Sequence, residues 1–376
     1  MFLQEISLNN FRNYNRVSTK VGPFLNIIIG DNAQGKTNLL EAIYLAAVGK
    51  SHRTHRDQEL IKWAESFFRI ILKVNKGNSL LNLEIIYSLE KRKQYKLNGV
   101  KKNKLVDLLG SFNAVLFAPE HLMLVKGSPH ERRQFLDSEI SQTNTVYFRN
   151  LQLYLRVLQQ RNNFLKSIKG SSLKPEMLEI WNIQLVELGT KIITKRLEVL
   201  KKLNPLARLV HRKITDGQEN LEINYCSTLG EVGNLNAEKI SQRFVELLQQ
   251  NFKQETGRGY TIVGPHRDDL TLKVNEYDVR LYGSQGQQRT TALALKLAEL
   301  EFIKAETGQY PVLLLDDVMS ELDYSRRMFL LETIQDKIQT FVTATGIDSF
   351  PEKVIEKAVI YKISKGQICS GTQSTN

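Results

Sequence analysis

Residues Gly30-Asp31-Asn32-Ala33-Gln34-Gly35-Lys36-Thr37 fit the spacing G-x-x-x-x-G-K-[ST]. Chance places such a match in roughly one chain in seventy at average composition, so its surroundings decide its worth. The apolar run Leu25–Ile29 precedes it, and a breaker-free helical pattern from Thr37 to Val48 follows. Strand, loop and helix in that order are what a phosphate cradle requires. The glycines let backbone N–H groups wrap the α- and β-phosphates, and the helix N-terminus adds partial positive charge. Lys36 would reach the β- and γ-phosphates, and the Thr37 hydroxyl would ligate Mg²⁺. An ordinary glycine loop accounts for this context far less well. The segment reads as a nucleoside triphosphate site.

A second constellation lies near the other end. Val312-Leu313-Leu314-Leu315 is an apolar strand that ends in Asp316-Asp317. A parallel strand delivers its last residues to the sheet edge where a phosphate loop sits. There Asp316 would hold Mg²⁺ and Asp317 would polarise the attacking water. Paired acids can merely cap a turn, but the upstream phosphate loop favours the catalytic reading. A third segment, Tyr282-Gly283-Ser284-Gln285-Gly286-Gln287-Gln288-Arg289, opens a helical pattern from Thr290 to Lys304. Ser284 with the amides of Gly286 and Gln287 would form another anion site at a helix N-terminus.

The elements that position these residues follow from pattern. The first segment reads as β structure, with Leu81, Leu83, Ile85 and Tyr87 on one face and an Asn98-Gly99 hairpin turn. From about residue 140 to 256 the period becomes helical. Trp181, Leu185, Leu188 and Ile192 make one stripe, and Ile240, Phe244, Leu247 and Phe252 another. Lys169–Ser172 and Pro175 mark a helix–helix turn. Short apolar runs at 312–315, 340–342 and 359–363 are expected as buried strands. The tail Ser370–Asn376 reads as disordered, and no internal repeat is evident.

Composition bounds the class. The 376 residues, 41% hydrophobic and 24% charged, suit roughly two to three globular domains. No apolar run approaches a membrane helix, and the acidic, polar N-terminus is no secretory signal. Cys226 and Cys369 form neither a disulfide framework nor a zinc site, which suits a reducing cytoplasm. The net charge of +12 is uneven: +9 over residues 1–118, +5 over 119–256 and −2 over 257–376. A basic first third points to a polyanionic partner, against the alternative of a solvated surface.

Cations cluster around the hairpin: Lys91, Arg92, Lys93, Lys96, Lys101, Lys102 and Lys104. They serve either to guard a sheet edge or to contact phosphates, and the sequence leaves both open. His52 and His55 lack further metal ligands; Arg53 and Arg56 are read instead as nucleic-acid phosphate contacts, because Ser51–Arg56 follows the phosphate-loop helix and is dense in cations. No base-reading motif is visible, so binding would be sequence-tolerant. His266-Arg267-Asp268-Asp269 after Gly264-Pro265 reads as a brace between lobes rather than an acid/base cluster.

Residues 282–289 resemble the signature motif of ABC-type ATPases, with Gln285 at an otherwise common glycine position. Ser320-Glu321-Leu322-Asp323 resembles the D-loop, which adds Asp323 to the nucleotide site, and Thr343-Ala344-Thr345 stands at the switch position. Further segments resemble the RecF family of ABC/SMC-like ATPases. They are Leu8–Tyr14, Phe117–Glu120, Lys126–Pro129 with Arg132-Arg133, and Gly264–Asp269. The resemblance runs from residue 8 to residue 345. It implies an α/β fold: an ABC-type P-loop ATPase head at 1–118 plus 257–376, with a mostly helical second lobe at 119–256 and no long coiled coil. It further implies a homodimer with two sandwiched ATPs, each signature serving the partner's nucleotide. By family the function would be ATP-dependent binding at ssDNA/dsDNA junctions during DNA gap repair, replication restart and the SOS response, with RecO and RecR loading recombinase. Three departures bear on turnover. Asp317 replaces the usual glutamate, Thr345 the switch histidine, and Pro119-Glu120 the glutamine loop. They imply a slow, DNA-stimulated ATPase. A non-hydrolysing ATP-gated scaffold is the alternative, and a transporter subunit fits the basic first third poorly.

Overall fold

The computed structural model describes residues 1–167 and 175–373. Two compact units emerge: Met1–His121 with Ala292–Asn376, and Leu122–Thr291. The helix–helix turn expected at Lys169–Ser172 lies outside the described residues.

The first unit carries two six-stranded sheets. One is antiparallel, in the order Tyr14–Lys20, Phe2–Phe11, Phe67–Lys76, Ser79–Ser88, Arg92–Leu97, Val100–Lys102. The other runs Gln367–Gln373, Val359–Ser364, Leu25–Ile29, Thr340–Ala344, Val312–Leu315, Ala114–Phe117. Its five strands from Val359–Ser364 onward are parallel, and Gln367–Gln373 pairs antiparallel as a hairpin. The runs 25–29, 312–315 and 340–344 are almost entirely buried, as strands covered on both faces must be. Helix Lys36–Val48 buries Leu39, Leu40, Ile43 and Leu45 in a core shared with Leu8, Phe11, Phe68 and Leu314. The Asn98-Gly99 turn takes left-handed angles at both residues (φ 52 and 79), as its sequence requires.

The second unit holds helices Pro129–Thr143, Thr145–Ser167, Glu179–Ile214, Ala237–Gln250 and Phe252–Arg258. Both expected stripes pack inward, with Leu185, Ile192, Ile240 and Phe244 buried. This unit is less purely helical than expected, because Leu221–Cys226, Asp269–Val274 and Tyr277–Asp278 form an antiparallel sheet.

Three expectations need correction. Segment 257–291, expected in the ATPase head, clusters with the second unit. The cause is pairing of Asp269–Val274 with Leu221–Cys226, reinforced by Arg132 donating to both Asp269 oxygens (2.7 and 3.0 Å). The His266–Asp269 brace therefore acts within one unit rather than between lobes. Finally, Gln367–Gln373 is a paired strand, so the disorder expected from Ser370 onward does not begin there.

The brace has a clear electrostatic logic. Asp268 accepts from the Tyr225, Ser227 and Thr228 hydroxyls and from the Thr228 amide. Arg196 is buried and ion-pairs with Asp137 while donating to Pro265 O. Fully buried Arg161 pairs with equally buried Glu255 at 2.7 Å. Buried cations persist only when paired and hydrogen-bonded in this way. His266 accepts no catalytic role: burial pushes its pKa down to about 3, and its Nδ1 lies 2.7 Å from the Tyr154 hydroxyl.

Candidate nucleotide site

The phosphate loop turns out of strand Leu25–Ile29 and enters helix Lys36–Val48. Gly35 (φ 119) and Ala33 (φ 63) hold the left-handed angles that aim successive amides inward. The φ of 119 at Gly35 is an angle that side chains rarely adopt, and a Cβ there would also press on the Asn13 amide at 2.7 Å. The loop is braced from three directions. The Tyr14 hydroxyl donates to Gly35 O (2.9 Å), and Asn13 Nδ2 to Gln34 O (2.8 Å). From the last hairpin, Gly366 N–H donates to Gln34 O and Lys365 N–H to Gln34 Oε1. Lys36 Nζ lies inside the loop, donating to the carbonyls of Gly30 (2.5 Å) and Asp31 (2.9 Å).

Parallel pairing brings the acids to this loop. Thr37 Oγ1 donates to Asp316 Oδ1 at 3.0 Å, joining residues 279 positions apart. Thr343 Oγ1 donates to the same oxygen at 2.8 Å and accepts from Asp317 N–H at 2.9 Å. Asp316 is buried, and that burial is the main reason its carboxyl is held above the usual range. The two threonine hydroxyls oppose the rise, and Glu120 adds to it. Asp317 is exposed and takes φ 52, a left-handed angle that costs a non-glycine residue and turns it away from the strand. A hydroxyl and a carboxylate side by side form a hard-oxygen pair suited to Mg²⁺. Among the described residues no group of three or more His, Cys, Asp or Glu is placed to hold a metal by itself.

The signature segment begins its helix at Gln285, five residues before the expected Thr290. Ser284 and Gln287 cap it reciprocally: Gln287 N–H donates to Ser284 Oγ (3.2 Å), and Ser284 N–H to Gln287 Oε1 (2.9 Å). Asp323 likewise caps helix Tyr324–Ile334, accepting from Arg326 N–H.

The DNA-contact candidates separate. Arg53 donates to Asn38 Oδ1 and lies 3.6 Å from Glu41, both on the phosphate-loop helix. Lys93 is committed to Asp57 (2.6 Å) and Gly49 O (3.0 Å), so it is no open phosphate contact. Arg56, Lys91, Arg92 and Lys101 are exposed and Lys102 half-buried. His52 is half-buried near Glu41, and its desolvation pushes its pKa down to about 4. Arg12 escaped assignment from sequence, yet it grips buried Glu41 through two bonds of 2.8 and 2.7 Å.

Among the described residues no helix is long and apolar enough to cross a membrane. The family model described as RecF/RecN/SMC N terminal domain matches residues 2–367. The chain is similar to DNA replication and repair protein RecF of Bacillus thuringiensis (strain Al Hakam) and of Bacillus anthracis (strain A0248). Each is 48% identical over 369 residues, covering 98% of both chains. A solved structure of the recombination mediator protein RecF with ATPrS, in the RecFOR pathway, aligns with TM-score 0.91 at 37% identity. The alignment covers 98% of this chain and 97% of that one. A crystal structure of an Smc head bound to the C-winged helix domain of ScpA aligns with TM-score 0.57 at 15% identity, covering 99% and 98%, a likeness of fold alone. On a family model matched over residues 2–367 and relatives 48% identical along nearly the whole chain, the chain belongs to the RecF family of DNA replication and repair proteins, within the ABC-type ATPases.

Proposed function

We propose that this chain is an ATP-dependent DNA-binding protein of recombinational gap repair and replication restart, two copies of which close around two ATP molecules. The observation that carries the reading is the 3.0 Å approach of Thr37 Oγ1 to Asp316 Oδ1 at a braced phosphate loop. Relatives solved with ATP support the nucleotide identity. Thr37 and Asp316 would hold Mg²⁺, which when bound offsets phosphate charge. Lys36 would pair with the β- and γ-phosphates, and Asp317 would orient water at the exposed end of the strand. Ser284 and Gly286 would present a second anion site to the γ-phosphate held by the other copy. Gln287 would contribute through the cap, since its own amide already serves Ser284.

The exposed cations Arg56, Lys91, Arg92 and Lys101, with half-buried Lys102, are the remaining DNA contacts of this reading. RecO and RecR are the partners to which the RecFOR pathway of the solved relatives points. The short Asp317 side chain and Thr345 favour slow turnover; in a cytoplasmic DNA-binding protein of this family that turnover would be stimulated by DNA. Sedimentation with ADP, with ATP, and with ATP plus DNA tests the assembly. Dimers only with ATP are expected; a monomer under all three conditions would refute the sandwich. Dimers that never hydrolyse ATP would instead mark a non-hydrolysing scaffold.

A further inference from the structure

The signature turn is held from outside by a residue that neither the motif nor the family comparison singles out. Gln287 uses both ends of its side-chain amide. Its Oε1 accepts from Ser284 N–H at 2.9 Å, and its Nε2 donates to Glu219 Oε1 at 2.8 Å. The amide orientation is fixed by chemistry: a backbone N–H only donates, and a carboxylate only accepts. Glu219 sits in the turn between helix Glu179–Ile214 and strand Leu221–Cys226. That turn is itself constrained. Asp216 and Gly217 take left-handed angles (φ 48 and 78), and Asn220 is tied by Arg212 and by Asn275. The other Glu219 oxygen lies 3.8 Å from Nε2 of buried His211 on the long helix. A charged acceptor on a rigid turn is a strong, directional hold.

We propose that Glu219 is a positioning residue for the signature loop, clamping Gln287 so that Ser284 and the first amides of helix Gln285–Thr307 are set for a nucleotide of the second copy. This rests on the reading that the signature serves ATP in trans. The clamp gives the helical unit a direct grip on the dimerisation element, while the phosphate loop keeps its own separate braces.

The test is a swap. Gln287→Glu sets two carboxylates against each other and should weaken ATP-driven dimerisation by about tenfold or more, the range of direct pair couplings. Glu219→Gln keeps an acceptor oxygen and should dimerise within about twofold of wild type on that scale. Combining Glu219→Gln with Gln287→Glu recreates one donor facing one acceptor, and should recover most of the loss. All three variants should keep the wild-type circular dichroism spectrum, confirming a folded chain. A double variant no better than Gln287→Glu alone overturns the clamp. If wild-type protein itself fails to dimerise with ATP, the trans reading falls instead, so the two failures are distinguishable.

Discussion

Thr343→Val should damage the site through a residue to which the sequence alone assigns no contact with the acid pair. Thr343 is 1% exposed, and its single hydroxyl both donates to Asp316 and supports the Asp317 amide. Valine has nearly the same shape but neither bond. Losing a hydrogen bond to a charged group costs about 1.5–3 kcal/mol, and an orphaned buried amide about 1–3 kcal/mol. Because one oxygen makes both bonds the two costs overlap, and a total of about 2–4 kcal/mol is expected. Part of that must appear as proton affinity. The hydroxyl favours charged Asp316, so its removal pushes the carboxyl further up, the direction burial already drives it. The acid limb of the ATP hydrolysis profile should therefore move to higher pH. Thr343→Ser keeps both bonds and forfeits one buried methyl, about 0.8 kcal/mol of stability, with no change in pH dependence. A valine profile superimposable on wild type, or a serine variant shifted as far as valine, would refute the reasoning.

Asp316→Asn follows from the same burial. A carboxyl raised in the folded state contributes stability below its unfolded value and loses it as pH rises through the folded one. Removing the charge should raise the nucleotide-free melting point at neutral pH, by roughly 2–4 °C per kcal/mol relieved, while abolishing hydrolysis; the gain should vanish in acid. Gly366→Ala should weaken ATP binding although it lies far from the motif in sequence: its φ of 70 disfavours a side chain, and a Cβ there would meet the Asn13 carbonyl. Nucleotide titration checks this. In salt titrations of DNA binding, losing Lys101 and Lys102 should flatten the log–log slope by about one unit per contact, whereas Lys93→Ala should not, since Lys93 is bound to Asp57.

What was legible in the sequence was local chemistry. The phosphate loop, the Asn98-Gly99 turn and the acid-ended strand each declare themselves within ten residues, because glycine angles and buried strands leave a contiguous signature. In the sequence Thr343 is only the first residue of the switch segment, whose expected role falls on Thr345. The pairing of Leu315 with Val342 places Thr343 level with Asp316, and register between distant strands leaves no local trace. The same holds for the loop's braces at Tyr14, Lys365 and Gly366. The unit boundary was misplaced because the pattern of Asp269–Val274 reveals a strand but not which sheet receives it. Arg132, Arg161 and Arg196 read as surface charge until their partners Asp269, Glu255 and Asp137 are seen beside them.

Mixing two inactive variants separates catalysis shared between two copies from catalysis within one. Ser284→Ala removes the signature hydroxyl, and Asp317→Asn removes the charge that orients water. In a mixed dimer one site combines an intact phosphate loop and Asp317 with an intact signature from the other copy. The expected result is ATP hydrolysis in the mixture above that of either variant alone, with monomer ATP affinity unchanged in Ser284→Ala. A mixture no faster than its components, together with lost monomer affinity in Ser284→Ala, would place the signature loop on its own chain's nucleotide and contradict the account.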